Sequence, residues 1–218
     1  MQLFVCEQGS PEWLGARLGI PTASEFATVM AKGRDGGDSK TRRTYMMKLA
    51  GEILTGEPME AYSNHHMERG KEYEPDARNL YAFMHDVELE QVGFIRNGQK
   101  GCSPDSLIGA SGGLEIKTAL PHIQVDRLLS GDCPSEHRAQ VQGCIWIAER
   151  EWWDFASYWP RLPLFVTRIY RDDAYIAGLA SAVDKFNAEL AEMVERIRRM
   201  EGAGPDLKAQ LTSSLEAA

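Results

Sequence analysis

Residues 101–119, GCSPDSLIGASGGLEIKTA, constrain this chain more than any other stretch. A Pro104-Asp105 step leads through Ser111-Gly112-Gly113 to Glu115-Ile116-Lys117, an acid and a base separated by one apolar residue. Successive side chains of a strand point to opposite faces. Glu115 and Lys117 therefore share one face, and Ile116 turns the other way into a core. Ser-Gly-Gly is hairpin punctuation, which predicts that residues 106–110 and 114–119 pair antiparallel around it. With those three residues as the loop, Asp105 falls on the face of Glu115 and Lys117; a one-residue slip turns it away.

Two carboxylates on one face repel each other unless a cation or a proton intervenes. A hard divalent cation is the natural occupant. All-oxygen ligation with room for water suits Mg2+ or Mn2+, whereas Zn2+ draws His and Cys. The plainer reading of an isolated Glu-x-Lys is a solvated strand with alternating polar residues. The Pro-Asp ahead of the turn weighs against it.

The remaining sequence supplies a scaffold. Ser10-Pro11-Glu12 reads as an N-cap, a first-turn proline and an early acid, opening a helix that Gly19 closes. Thr22-Ala23-Ser24-Glu25 can cap a second helix over residues 24–32, so Arg17 and Ser24 flank a turn between two helices. A hydroxyl, a guanidinium and a helix N-terminus make a phosphate seat; without further context Ser24 is a cap and Arg17 a surface charge. Helical spacing recurs over residues 39–55 and 61–84, where Pro75 must kink or restart the helix. His65 and His66 diverge by about 100° on a helix and do not readily share one ion. A strand is predicted over 87–97, helices over 121–129 and 136–148, and aromatic-rich strands over 151–158 and 163–170. A long amphipathic helix over 172–200 stops at Gly202-Ala203-Gly204-Pro205. The pattern predicts an α/β fold, a central mixed β-sheet flanked by helices, as a single domain over residues 1–202 with a flexible tail over 203–218.

Composition sets limits on this reading. With 218 residues and 43% hydrophobic content, the chain can bury a substantial core. It has no apolar run of membrane length and no signal-like start in MQLFVCEQ, which predicts a soluble cytoplasmic protein. Four cysteines without C-x-x-C spacing read as reduced thiols. A net charge of -8 argues against uniform binding to nucleic acid, so any DNA contact must be local. Lys32, Arg34, Lys40, Arg42 and Arg43 form the densest basic stretch, either a solvated loop and helix start or an arm that contacts phosphates.

Pro-Asp, a hairpin gap and Glu-Ile-Lys form the PD-(D/E)-x-K signature of nucleases. Together with EQGSPEWLGARLGIPTASEF, GKEYEPDARNLY, GCSPDSL and AQVQG, in that order, the chain resembles the lambda exonuclease family of YqaJ-type viral recombinases. The resemblance implies a restriction-endonuclease-like core and metal-assisted phosphodiester hydrolysis. It assigns Asp105, Glu115 and the carbonyl of Ile116 to Mg2+, which Mn2+ can replace, and Lys117 to the attacking water. Glu74 and Gln140 join the catalytic site, and Arg17 and Ser24 hold a 5′-terminal phosphate. Within the basic stretch Arg34 is the residue expected to contact DNA, and by resemblance Met67 falls where the family carries an apolar wedge. Taken alone, Glu74 is a solvated helix position and Met67 a core methionine. The resemblance further implies a homotrimeric ring on double-stranded DNA ends and digestion of the 5′-ended strand to mononucleotides. It also implies a single-strand annealing protein as partner and a phage or prophage gene in a bacterial host. Two rival readings share these residues: a structure-specific endonuclease or resolvase, and a non-catalytic DNA clamp.

Overall fold

The strand Trp152–Tyr158 (β6), WWDFASY, is buried over its five central residues and can only be an interior strand. In a computed structural model that describes residues 1–34, 36–59 and 65–203, β6 is the third strand of a four-stranded sheet. Its neighbours are Gly112–Thr118 (β5), paired parallel, and Phe165–Tyr170 (β7), paired antiparallel. Ser106–Ile108 (β4) closes the other edge, antiparallel to β5. The sheet is therefore mixed, as expected. A parallel pair needs a long crossover; here it contains Pro121–Ser130 (α5) and Arg138–Ile147 (α6).

A second, three-stranded antiparallel sheet joins Gln2–Phe4 (β1), Phe94–Arg96 (β2) and Gly101–Cys102 (β3). The strand expected over residues 87–97 is thus confined to its last third. Before it, Glu90 makes only a single bridge to Leu107, so no continuous ladder can form there.

The first helix, Pro11–Arg17 (α1), has Ser10 as its N-cap, accepting from Trp13 N. The helix expected over 24–32 is a 3-10 turn, Ala23–Glu25, followed by Phe26–Met30 (α2). Lys40–Thr55 (α3) is capped by Ser39 and stopped by Gly56 in the left-handed region, as the sequence spacing indicates. His65–His85 (α4) runs on through Pro75, which neither ends nor restarts it. Asp173–Ala203 (α7) buries Ile176, Leu179, Val183, Phe186, Leu190 and Val194 against the core that α2, α3 and α6 share.

The helices divide between the two faces of the sheet. Leu114 and Ile116 of β5 pack with Ala77 and Tyr81 of α4. The odd-numbered residues of β5 look the other way, toward α6, where Trp153 and Phe155 join the larger core. Tyr81 OH donates to Asp154 at 2.5 Å, and Arg168 binds the same carboxylate through Nε and Nη2 at 2.8 and 2.9 Å. This buried acid anchors α4, the helix that carries Glu74, to the centre of the sheet.

Candidate active site

The hairpin turns two residues earlier than Ser111-Gly112-Gly113 suggests. Ile108 pairs with Gly112, so the loop is Gly109-Ala110-Ser111, with Gly109 at φ 51°. Gly112 and Gly113 begin β5 instead. An added Cβ would lie 2.2 Å from the Trp152 ring at Gly112 and 2.3 Å from the Trp153 ring at Gly113. These glycines leave flat surface for two indoles; they do not bend the chain. A displacement by two residues preserves side-chain parity. Asp105, one step before Ser106↔Leu114, accordingly comes opposite Glu115, on the face of Lys117, and its backbone N–H reaches Leu114 O at 3.2 Å.

On that face the side chains are tightly tied. Asp105 Oδ2 accepts the backbone N–H of Ile116 at 2.5 Å. Glu115 Oε1 lies 2.6 Å from Lys117 Nζ and accepts from Gln140 Nε2 at 2.6 Å, while Glu115 Oε2 is buried without a hydrogen-bond partner. Burial and the charges of Glu115 and Glu74 hold the Asp105 carboxyl well above the usual range. Burial pulls the Lys117 ammonium down, but Glu115 and Asp105 more than offset it, leaving it above its ordinary value.

A cavity of about 330 Å3 opens onto this face. Arg17, Ser24, Asp105, Glu115, Lys117 and Gln140 all line it, from α1, the 3-10 turn, the hairpin and α6. The Arg17 side chain makes no hydrogen bond or ion pair among the described residues; its guanidinium lies 4.1 Å from the centroid of the Trp13 ring. Burial pulls Arg17 below its ordinary value, with Tyr45, Glu52 and Glu25 opposing, and arginine stays a cation throughout. Ser24 Oγ lies 3.2 Å from Thr22 Oγ1.

Glu74 lies across Asp105 from that cavity. It lines a second one of about 280 Å3 that shares Gln8 and Asp105 with the first, and it forms an ion pair with Arg78. Arg34 stands apart, exposed on the loop between α2 and α3. Met67 and the His65-His66 pair fall in α4, but their side chains lie outside the described residues, as do residues 204–218 of the expected tail.

Several lining residues carry no motif of their own. Gln8 Nε2 donates to Pro104 O at 3.1 Å, and Trp13 Nε1 donates to Ser103 Oγ at 2.8 Å. Both sit inside EQGSPEWL, where only the resemblance marks the block as functional. His137 stacks on Phe155, the register partner of Glu115, with centroids 5.0 Å apart. Burial and the charges of Lys117 and Arg127 push it down to about 4. Arg127 approaches His137 Nε2 at 3.2 Å, and arginine only donates, so the proton of the neutral ring is on Nδ1. Cys144 also lines the cavity; its hydrogen bond with Cys102 and its burial keep it a thiol, not a nucleophile.

The donor set fits a hard cation. Among the described residues no three of His, Cys, Asp and Glu form a ready-made cage, and Glu74 is engaged by Arg78. Mg2+ needs no such cage: one or two carboxylates with water and substrate phosphate suffice. The buried, unpartnered Oε2 of Glu115 and the raised Asp105 belong to a carboxylate pair whose repulsion Lys117 offsets only in part.

A mixed sheet whose hairpin carries Asp105, Glu115 and Lys117 on one face, with Glu74 approaching from a helix, defines the class: an α/β nuclease fold of the PD-(D/E)-x-K kind. Residues 12–151 match the YqaJ-like viral recombinase domain, and the chain belongs to that nuclease family. Among solved structures it is similar to an alkaline exonuclease (LHK-Exo) from Laribacter hongkongensis, at 36% identity and TM-score 0.81 over 89% of this chain and 99% of that one. It matches the structure of LHK-Exo in complex with dAMP at 37% identity, with the same TM-score of 0.81. A phage related exonuclease from Haemophilus somnus 129PT shares the fold at 14% identity and TM-score 0.62, over 82% of this chain and 96% of that one. Comparison with curated proteins finds no match.

Proposed function

We propose that this chain is a Mg2+-dependent exonuclease that degrades the 5′-ended strand of linear double-stranded DNA to mononucleotides and leaves 3′ single-stranded tails. One convergence carries the reading: Arg17 and Ser24, suited to a terminal phosphate, line the same cavity as Asp105, Glu115, Lys117 and Gln140. Similarity to an alkaline exonuclease over nearly the whole of that protein supports it.

Asp105, Glu115 and the carbonyl of Ile116 would hold Mg2+, or Mn2+ in its place. When bound, the cation lowers the pKa of water and stabilises charge on the phosphate oxygens. Lys117, held by Glu115, orients the attacking water and offsets negative charge that develops on the phosphate. Gln140 fixes the Glu115 carboxylate through its amide. Glu74 adds negative charge on the far side of Asp105. Arg17 and Ser24 seat the 5′-phosphate, and Arg34 and Met67 contact the duplex outside the cavity.

The same reading includes a homotrimer enclosing the duplex, a single-strand annealing protein as partner and a role in phage-type recombination in the bacterial cytoplasm. A ring would retain its track despite the net charge of -8. No helix among the described residues is long and apolar enough to cross a membrane.

The test follows acid-soluble nucleotides released from linear duplex and from covalently closed circles, with Mg2+ or with EDTA. Mg2+-dependent release from linear DNA alone is expected. Cutting of closed circles would make the protein an endonuclease, and binding without turnover under any metal would make it a clamp.

A further inference from the structure

We infer that Trp13 sets end recognition: its indole holds Arg17 at a fixed position relative to Asp105 and so governs the preference for a 5′-phosphate. The inference rests on the proposed role of Arg17 and extends it to a residue with no assigned part.

Two contacts link Arg17 to the segment that carries Asp105. Trp13 and Arg17 are one turn apart on α1, where residues at i and i+4 lie side by side. The Arg17 guanidinium sits 4.1 Å from the Trp13 ring centroid. At its other end, the indole N–H donates to Ser103 Oγ at 2.8 Å, and Ser103 is two residues from Asp105 on the segment entering β4. Trp13, Arg17, Ser103 and Asp105 all line the same cavity.

No hydrogen bond or ion pair among the described residues holds the Arg17 guanidinium, which Tyr45, Glu52 and Glu25 attract only electrostatically. The nearby carboxylate of Glu52 already accepts from the backbone N–H groups of Gly19 and Met59, at 2.9 and 3.3 Å. A long guanidinium side chain without a partner samples many rotamers, whereas one stacked on an aromatic face keeps its fork free to bind an anion. The indole leaves the donors of Arg17 available and fixes where they point. Because the same indole is hydrogen-bonded to the segment that carries Asp105, it also spaces the phosphate seat from the hydrolytic face. An enzyme that releases single nucleotides from an end needs that spacing held constant. Trp13 is thus a positioning residue for specificity.

The experiment compares kcat/KM on linear duplexes bearing a 5′-phosphate or a 5′-hydroxyl, for wild type, Arg17→Ala, Trp13→Leu and the double variant, with circular dichroism to verify folding. Wild type is expected to prefer the phosphate by about tenfold or more, the scale of a charge-assisted contact. Trp13→Leu is expected to lose that preference as Arg17→Ala does, and the double variant to lose no more than either alone. Should Trp13→Leu fail to fold, Trp13→Phe and Ser103→Ala decide: each removes the indole's anchor and is expected to reduce the preference. Full preference in a folded Trp13 variant, or multiplicative losses in the double variant, overturns the inference while leaving Arg17 in its role. No preference in wild type overturns the role of Arg17 itself, and the inference with it.

Discussion

Lys117 and Gln140 both engage Oε1 of Glu115, leaving Oε2 buried and bare. A carboxylate with one oxygen engaged twice and the other unsatisfied is oriented, and the charge of Glu115 acts on Asp105 opposite it in the hairpin. A buried acceptor without a partner costs about 1–3 kcal/mol, which a bound cation would recover.

Glu115→Gln and Lys117→Ala are each expected to lower the single-turnover cleavage rate by about 10²–10⁴-fold. Affinity for duplex DNA, measured by fluorescence anisotropy in EDTA, should change far less, because neither residue is placed to hold the duplex itself. Equal losses in rate and in binding would assign both residues to DNA affinity.

Asp105 gives a dependence on pH. Its carboxyl in the folded protein is held above the ordinary value by burial and by Glu115 and Glu74, so the fold binds this proton more tightly than the unfolded chain does. Its contribution to stability is complete below the unfolded pKa of about 3.9 and is lost as pH rises through the raised folded value. In EDTA, Asp105→Asn should therefore melt higher than wild type at alkaline pH, with the difference vanishing in acid. Mg2+ should raise the melting temperature of wild type, by the equivalent of about 1.4 kcal/mol at ten times its Kd, but not that of Asp105→Asn. Paired thermal melts across pH, with and without Mg2+, check both statements.

The face of the site was legible in the sequence because it depends only on parity: Asp105, Glu115 and Lys117 stay together under any shift of the hairpin by an even number of residues. The position of the turn was not. Gly112 and Gly113 look like turn residues until Trp152 and Trp153, some forty residues downstream, are seen lying on them. The 3-10 turn at Ala23–Glu25 and the passage of α4 through Pro75 are likewise tertiary outcomes, set by packing against α6 and β5. Trp13 and Gln8 carried no local signal, since their partners, Ser103 and Pro104, come from the hairpin segment far along the chain.

Gly113→Ala follows from the same observation. The new Cβ would stand 2.3 Å from a fully buried indole that has no room to move. Chemical denaturation should show a loss of about 1–3 kcal/mol, the usual penalty of overpacking.

Asp154→Ala should cost about 2–3 kcal/mol, because it leaves the buried Tyr81 hydroxyl without its acceptor beside a gap, whereas Arg168, 41% exposed, can turn to water. Tyr81→Phe removes one neutral donor and leaves the bidentate Arg168 pair intact, so a smaller loss of about 1–2 kcal/mol is expected. Urea unfolding of both variants measures the difference.

The most direct test of the central claim is the polarity of digestion on a linear duplex with one strand labelled internally and distinct labels at its two ends. Wild type with Mg2+ should release the 5′ label first, as a 5′-mononucleotide, and leave the complementary strand as a 3′-ended tail; Glu115→Gln should release nothing at the same DNA occupancy. Release from the 3′ end first, or undiminished release by Glu115→Gln, would contradict the account.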